Sequence, residues 1–309
     1  MRRVVVSEYL PEQFLARLRS NFEVVYDPDL YAERPRLLRE VAEAEAVMIR
    51  NRTRIDTELL ESAKAMKVVG RLGVGLDNID MDACSAAGVT VIPAVGGNAV
   101  SVAEYVMAAM LVLRRGVFTM TESMIAGQWP RQGHAFGNEV MGSTLGLVGL
   151  GSIGRNVATR VAALGMEVVA YDPYLDETDP GWRQAKRVSF DQLLADADVV
   201  SLHIPLNAAT VNLIDAAALA KMKPSAVLIN TSRGGTLDEA ALADALRNRV
   251  IGGAAIDVFE SEPLGPEPAA RFSGLENLIL TPHVAGNTYE SVDRVADLIT
   301  RAVLESLGP

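Results

Sequence analysis

The stretch from Thr144 to Asp172 constrains this chain more than any other. An apolar run, TLGLVG, leads into Gly149, Gly151 and Gly154 at G-x-G-x-x-G spacing; a helical segment follows, and a second run, MEVVAYD, ends on an acid. That is the length of a βαβ unit, about 30 residues, and each glycine has its own reason to be there. Gly149 permits a tight turn, Gly151 lets another group approach the backbone, and Gly154 lets the helix lie close to the sheet. The amides of Ser152 and Ile153 then open a helix whose positive end suits a pyrophosphate. The glycine spacing alone is weak evidence; the flanking strands and the terminal acid supply the context. Asp172 is placed to accept hydrogen bonds from adenosine ribose hydroxyls and to repel the extra phosphate of NADP, which makes NAD the expected cofactor. Its competing role is to open the DPY turn.

Around this unit the chain alternates strand-like and helical runs, the pattern of a mostly parallel sheet. One series runs through VVVSEY, FEVVYD, AVMIRN, KVVGRLG and VTVIP to about Pro93. A second contains TLGLVG, MEVVAYD, ADVVSLHIP, AVLINTS, GGAAIDVF and NLILTPH, six strands expected to form a doubly wound dinucleotide-binding sheet. Between them AVSVAEYVMAAMLVL reads as a buried helix with Asn98 as its N-cap, too short and too polar to span a bilayer. The tail YESVDRVADLITRAVLESL is helical with no strand after it and is expected to return to the first domain. The expected division is 1–97 with 288–309 as one domain and 98–287 as the other.

Composition excludes some partners and compartments. A formal charge of −10 disfavours nucleic acid and anionic membranes. The start, MRRVVVSEYLPE, breaks its apolar run too early for a signal peptide. One cysteine, Cys84, allows no internal disulfide and reads as a small buried thiol, which suits the reducing cytoplasm. His134, His203 and His283 form no cluster at ligand spacing, so no metal is expected.

Three strand ends in the second series carry residues suited to interconverting a 2-keto and a 2-hydroxy acid. Arg233 in NTSRGG offers a planar fork for a carboxylate. Glu262 in DVFESEP and His283 in LTPHVAG make an acid–base pair in which the carboxylate orients the imidazole. His203, inside an apolar strand, reads as a core histidine, and His134 sits in a polar loop with no partner in view. Gly73, Val74 and Gly75 in RLGVGLDNID form either an anion-binding nest of amides or a simple turn.

Taken in order, GLDNID, SVAEY, GLGSIG with Asp172, LHIPLN, NTSRGG, DVFESEP and PHVAG resemble the D-isomer-specific 2-hydroxyacid dehydrogenases over nearly the whole chain. The resemblance implies an α/β fold with a Rossmann cofactor domain inserted into a split flavodoxin-like substrate domain. It implies that Arg233 binds the substrate carboxylate and polarises the C2 carbonyl, that His283 is the acid–base and that Glu262 supports it. It sets Val74, Ser152, Ile153, Asp172 and Pro205 against NAD, with Thr231, His283 and Gly286, and turns Asp257 toward the nicotinamide carboxamide. Substrate falls to Arg50, Val74, Gly75 and Arg233. A homodimer through the inserted domain is implied, with Trp129 and the IAGQWPRQ segment at its interface.

Within the family, formate dehydrogenases place Gln where this chain has Glu262, so formate is not expected. Arg50, Arg52, Arg54 and Arg71 supply more cation than lactate or glycerate needs, or else belong to a solvated surface. RNRT, GRLGVGLDNID and WPRQ resemble sulfolactate dehydrogenases most, with phosphoglycerate dehydrogenases next. Stereochemistry permits both, because (S)-sulfolactate and D-3-phosphoglycerate share one spatial arrangement at C2. A glyoxylate or hydroxypyruvate reductase is the alternative activity, and an NAD-sensing corepressor the alternative of another class. Feedback control by a separate domain is not expected.

Overall fold

The computed structural model describes residues 2–131 and 137–308, and His134 lies outside them. The chain divides into two compact units, Met1–Asn98 with Asn287–Pro309, and Ala99–Gly286, each crossing one residue away from the expected position.

The first unit is built on a five-stranded parallel sheet of β1 (Arg3–Val6), β2 (Glu23–Tyr26), β3 (Ala46–Ile49), β4 (Val68–Arg71) and β5 (Thr90–Pro93), in the order β2-β1-β3-β4-β5. This is the flavodoxin-like order of a doubly wound sheet. Central β1 and β3 are buried on both faces, which is why they read as unbroken apolar runs. The helix Tyr289–Leu307 covers one face, setting Val295, Ile299 and Val303 among Val4, Val6, Met48 and Val68. Gly70 in β4 lets it approach, since a Cβ there would crowd Ile299. A capping box between Thr288 and Ser291 starts the helix.

The second unit carries a seven-stranded parallel sheet: β6 (Thr144–Val148), β7 (Glu167–Tyr171), β8 (Lys186–Arg187), β9 (Val199–Leu202), β10 (Val227–Asn230), β11 (Gly253–Ile256) and β12 (Leu278–Leu280). Their order is β12-β11-β10-β9-β6-β7-β8. The seventh strand, β8, escapes sequence reading because it is two exposed charged residues on the edge of β7. The helix Ala99–Arg115 buries Val102, Val106 and Met110 against Leu145, Leu147 and Ile229. Asn98 does not cap it: its Oδ1 is buried with no partner among the described residues. Because the sheet is parallel, the loops after β6, β9, β10, β11 and β12 all leave from one edge, where such sheets bind ligands.

Candidate active site

At the end of β6 the chain turns through Gly149 at φ +95°, where a Cβ would run into the His203 carbonyl. A Cβ on Gly154 would strike the Gly149 carbonyl, which explains the close start of the helix Ser152–Ala162. At Gly151 a Cβ would meet nothing within 4 Å. The helix starts on Gly151 with no side-chain cap, so the Ser152 and Ile153 amides point out of an uncovered positive end. Thr231, just past β10, keeps a buried Oγ1 with no partner among the described residues. An open glycine, an uncapped helix start and an orphaned hydroxyl are what a dinucleotide's pyrophosphate and nicotinamide arm would fill, so the residues fit NAD.

Asp172 follows β7 directly. Its Oδ2 accepts from the Leu150 N–H at 2.9 Å and its Oδ1 from the Tyr174 N–H at 3.1 Å. Both sequence roles are therefore compatible: the side chain opens the DPY turn, braces the glycine loop through Leu150 and retains lone pairs for ribose hydroxyls. Pro205 is exposed beyond β9, and its carbonyl is held by the Thr210 hydroxyl at 2.7 Å. Gly286 is the last residue of the unit.

Arg233, Glu262 and His283 stand in the loops after β10, β11 and β12 rather than on the strands themselves. Glu262 Oε2 lies 2.7 Å from His283 Nδ1, and Oε1 accepts from the Phe259 N–H at 3.0 Å. Burial alone would raise the Glu262 carboxyl, but the bonds from His283 and Phe259 outweigh it and hold it below the ordinary value. An ionised carboxylate only accepts, so His283 donates from Nδ1, and Nε2 is the ring nitrogen with the capacity to take up or give a proton. The Glu262 bond raises the His283 pKa against its burial; Asp257 adds to the rise and Arg233 opposes it.

His283 sits at φ +55°, a left-handed conformation that costs a non-glycine residue roughly 1–3 kcal/mol unless its surroundings impose it. Asp257 imposes it. Its carbonyl takes the His283 N–H at 2.7 Å, and its carboxylate, in a residue only 1% exposed, takes the N–H groups of Val284 and Ala285 at 2.9 and 2.8 Å and the Thr281 hydroxyl. The Thr281 hydroxyl in turn lies 2.6 Å from the Tyr105 phenol. Anchoring the histidine loop is a task for Asp257 that its position in AAIDVF did not reveal. His203, just beyond β9, bonds Ser201 Oγ at 3.0 Å and is pushed down to about 4 by burial, so it stays neutral. Cys84 is buried, which pushes its thiol up.

In the first unit the four arginines separate. Arg52 stacks on Tyr31 and bonds its hydroxyl; Arg54 is exposed. Arg71 does not join an outward cluster: it is buried, its Nε donates to the Gly75 carbonyl at 2.8 Å, and its guanidinium lies over Gly73. The half-buried Arg50 has no partner for its side chain among the described residues. Its loop is pinned from two sides. Glu8, 4% exposed, accepts the N–H groups of Arg50, Arg52 and Thr53, and the Asn78 amide donates to the Arg50 and Thr53 carbonyls. The expected nest over Gly73–Gly75 loses one member, because the Gly73 N–H is spent on the Arg71 carbonyl at 2.7 Å; the Val74 and Gly75 amides remain.

Among the described residues no group of three or more His, Cys, Asp or Glu could hold a metal ion, and no helix is long and apolar enough to cross a membrane. Residues 107–285 match the family described as D-isomer specific 2-hydroxyacid dehydrogenase, NAD binding domain. Over its whole length the chain is 48% identical to an (S)-sulfolactate dehydrogenase of Chromohalobacter salexigens, of which it covers 99%. It is 40% identical to a D-3-phosphoglycerate dehydrogenase of Mycobacterium leprae over 99% of the chain, but spans only 57% of that enzyme's length. The TT0316 protein of Thermus thermophilus has a similar structure, with a TM-score of 0.88 at 34% identity, covering 99% of this chain and 96% of that one. With the glycine loop, the Asp172 bracket and the Glu262–His283 pair in place, the chain belongs to the D-isomer specific 2-hydroxyacid dehydrogenases and is an NAD-dependent oxidoreductase of 2-hydroxy acids.

Proposed function

We propose that the chain interconverts a D-configured 2-hydroxy acid bearing a second anion, (S)-sulfolactate or D-3-phosphoglycerate, and its 2-keto acid, and that Arg233, Glu262 and His283 carry the chemistry. The observation that carries the proposal is the pinned Arg50 loop: a guanidinium with no partner among the described residues, on a backbone preset by Glu8 and Asn78, is organised to meet an anion from outside. The 48% identity to the sulfolactate dehydrogenase supports the sulfonate as that anion.

Arg233 binds the substrate carboxylate bidentately, and substrate also falls to Val74 and Gly75, whose amides suit an anion. Neutral His283 accepts the C2 hydroxyl proton at Nε2 during oxidation and returns it from the imidazolium during reduction. Glu262 holds the ring by Nδ1 and stabilises its charged form. The loop Gly149–Gly154, Asp172, Pro205, Thr231 and Gly286, with Asp257 beside them, would hold NAD, which would supply the hydride acceptor. Asp172 selects NAD over NADP. The exposed apolar set of Phe118, Ile125 and Trp129, the last two 77% and 76% exposed, is the face on which two copies pair into a cytoplasmic homodimer.

The test is a ratio of ratios. A charge-assisted contact contributes roughly 1.5–3 kcal/mol, so Arg50→Ala is expected to lower kcat/KM about 10- to 150-fold for sulfolactate or phosphoglycerate, mainly through KM, and much less for D-lactate or D-glycerate. Equal losses on monoanionic and dianionic substrates would remove the second anion from the account.

A further inference from the structure

Glu239 opens the helix Glu239–Arg247, a short way along the chain from Arg233, and a carboxylate at a helix start is ordinarily a surface feature facing water. Here the residue is only 2% exposed. Its Oε1 accepts from the Glu260 N–H at 2.6 Å, and its Oε2 lies 3.4 Å from an Arg271 nitrogen. Burying a carboxylate is costly unless it is bonded, so a buried one at a helix start needs a reason.

The reason lies in what Glu260 belongs to. The turn Phe259–Glu262 is held from three sides. The Phe259 N–H donates to Glu262 Oε1, the next N–H donates to Glu239, and Gly234 presses so close to the Phe259 carbonyl that any Cβ there would overlap it. Gly234 directly follows Arg233. One turn therefore connects the loop of the substrate-binding arginine to the carboxylate that meets His283 at 2.7 Å. At the far end of the helix Arg247 donates to the Arg271 carbonyl at 3.0 Å, so the residue whose side chain reaches Glu239 is itself tied to the helix.

We infer that Glu239 is a positioning residue for the acid–base pair: its buried carboxylate fixes the Phe259–Glu262 turn and, through it, the aim of Glu262 on His283. The charged groups around Glu239 are Asp238, Glu260 and Arg271; those around His283 are Glu262, Asp257 and Arg233. Of these, Glu262 is the one that Glu239 controls. Loosening the turn lengthens the Glu262–His283 contact, so the pKa of His283 falls toward its ordinary value.

The inference rests on the acid–base reading of His283, and the test separates the two. With three histidines in the sequence, the imidazole resonances can be titrated by NMR in the whole protein, and His283→Asn assigns the one of interest. Glu239→Ala is expected to lower the His283 pKa by about half to one unit, and Glu239→Asp, which retracts the carboxylate but keeps a foldable helix start, by less. Glu239→Gln, which keeps an acceptor for the Glu260 N–H, is expected to restore the wild-type value, while NAD affinity is unchanged in all three. A His283 pKa that stays fixed in the Ala and Asp variants, or that falls as far in the Gln variant as in the Ala variant, would overturn the inference. If the NMR value moves but the acid limb of kcat/KM for oxidation does not follow it, Glu239 still positions the pair and the proton-accepting role of His283 fails instead.

Discussion

Replacing Glu262 with Gln should move the working pH of the enzyme downward by about one unit. The Gln side chain can still accept from His283 Nδ1 but carries no charge. In the native pair the atoms are 2.7 Å apart, and the side chains keep 46% (His283) and 37% (Glu262) of their surface exposed. Unit charges centred about 4 Å apart attract by about 1 kcal/mol in water and about 4 kcal/mol at an effective dielectric of about 20. With this much solvent contact the lower part of that range applies, about 1–2 kcal/mol, or roughly one pKa unit. The sign follows from which form is stabilised. Glu262 favours the imidazolium, so removing its charge lowers the His283 pKa, while Asp257 still raises it and Arg233 still opposes. Oxidation needs the neutral ring, so the acid limb of its kcat/KM profile moves to lower pH. Reduction needs the imidazolium, so its alkaline limb also moves to lower pH and activity is lost first on the alkaline side. The assay is kcat/KM against pH in both directions. Limbs that stay in place, or move upward, would refute the electrostatic coupling.

Asp172→Ser should lower the NAD-over-NADP preference about 10- to 100-fold, because a charge-assisted ribose contact and a phosphate-repelling charge disappear together. NAD affinity itself also falls, since Leu150 loses its acceptor, so the ratio in a binding titration is the informative quantity. Ile125→Glu combined with Phe118→Glu should convert the proposed dimer to monomer by light scattering, with the fold retained because both side chains are exposed; wild type and variant at one and the same mass would contradict pairing through this face.

The parts that the sequence made legible are those whose signal is local. Apolar runs such as AVMI and VLIN are short, β-branched and bounded by turn residues, and they are β3 and β10. The glycines of the β6 turn announce themselves because only glycine tolerates the approach of the His203 and Gly149 carbonyls. What escaped is long-range. Glu8 meets Arg52 across 44 positions, and Glu239 meets Glu260 across 21, and neither acid carries a local mark of its task. The family resemblance turns Asp257 toward the cofactor, but nothing local marks it as the anchor of the His283 loop, since that loop comes from another strand. Arg71 groups with Arg50, Arg52 and Arg54 in sequence because nothing local tells that its flexible side chain folds back over Gly73. Asn98 has the right type for a helix cap, yet its oxygen is buried with no partner among the described residues, at the last position of the first unit before the chain enters the second.

The central claim is that His283 moves the proton, and turnover of His283→Asn with saturating NAD and a D-configured 2-hydroxy acid tests it most directly. General acid–base groups contribute on the order of 10²- to 10⁴-fold, so kcat should fall by that factor while the NAD dissociation constant stays near the wild-type value. Wild-type turnover in the variant would contradict the claim, as would a loss of turnover fully matched by a loss of NAD binding.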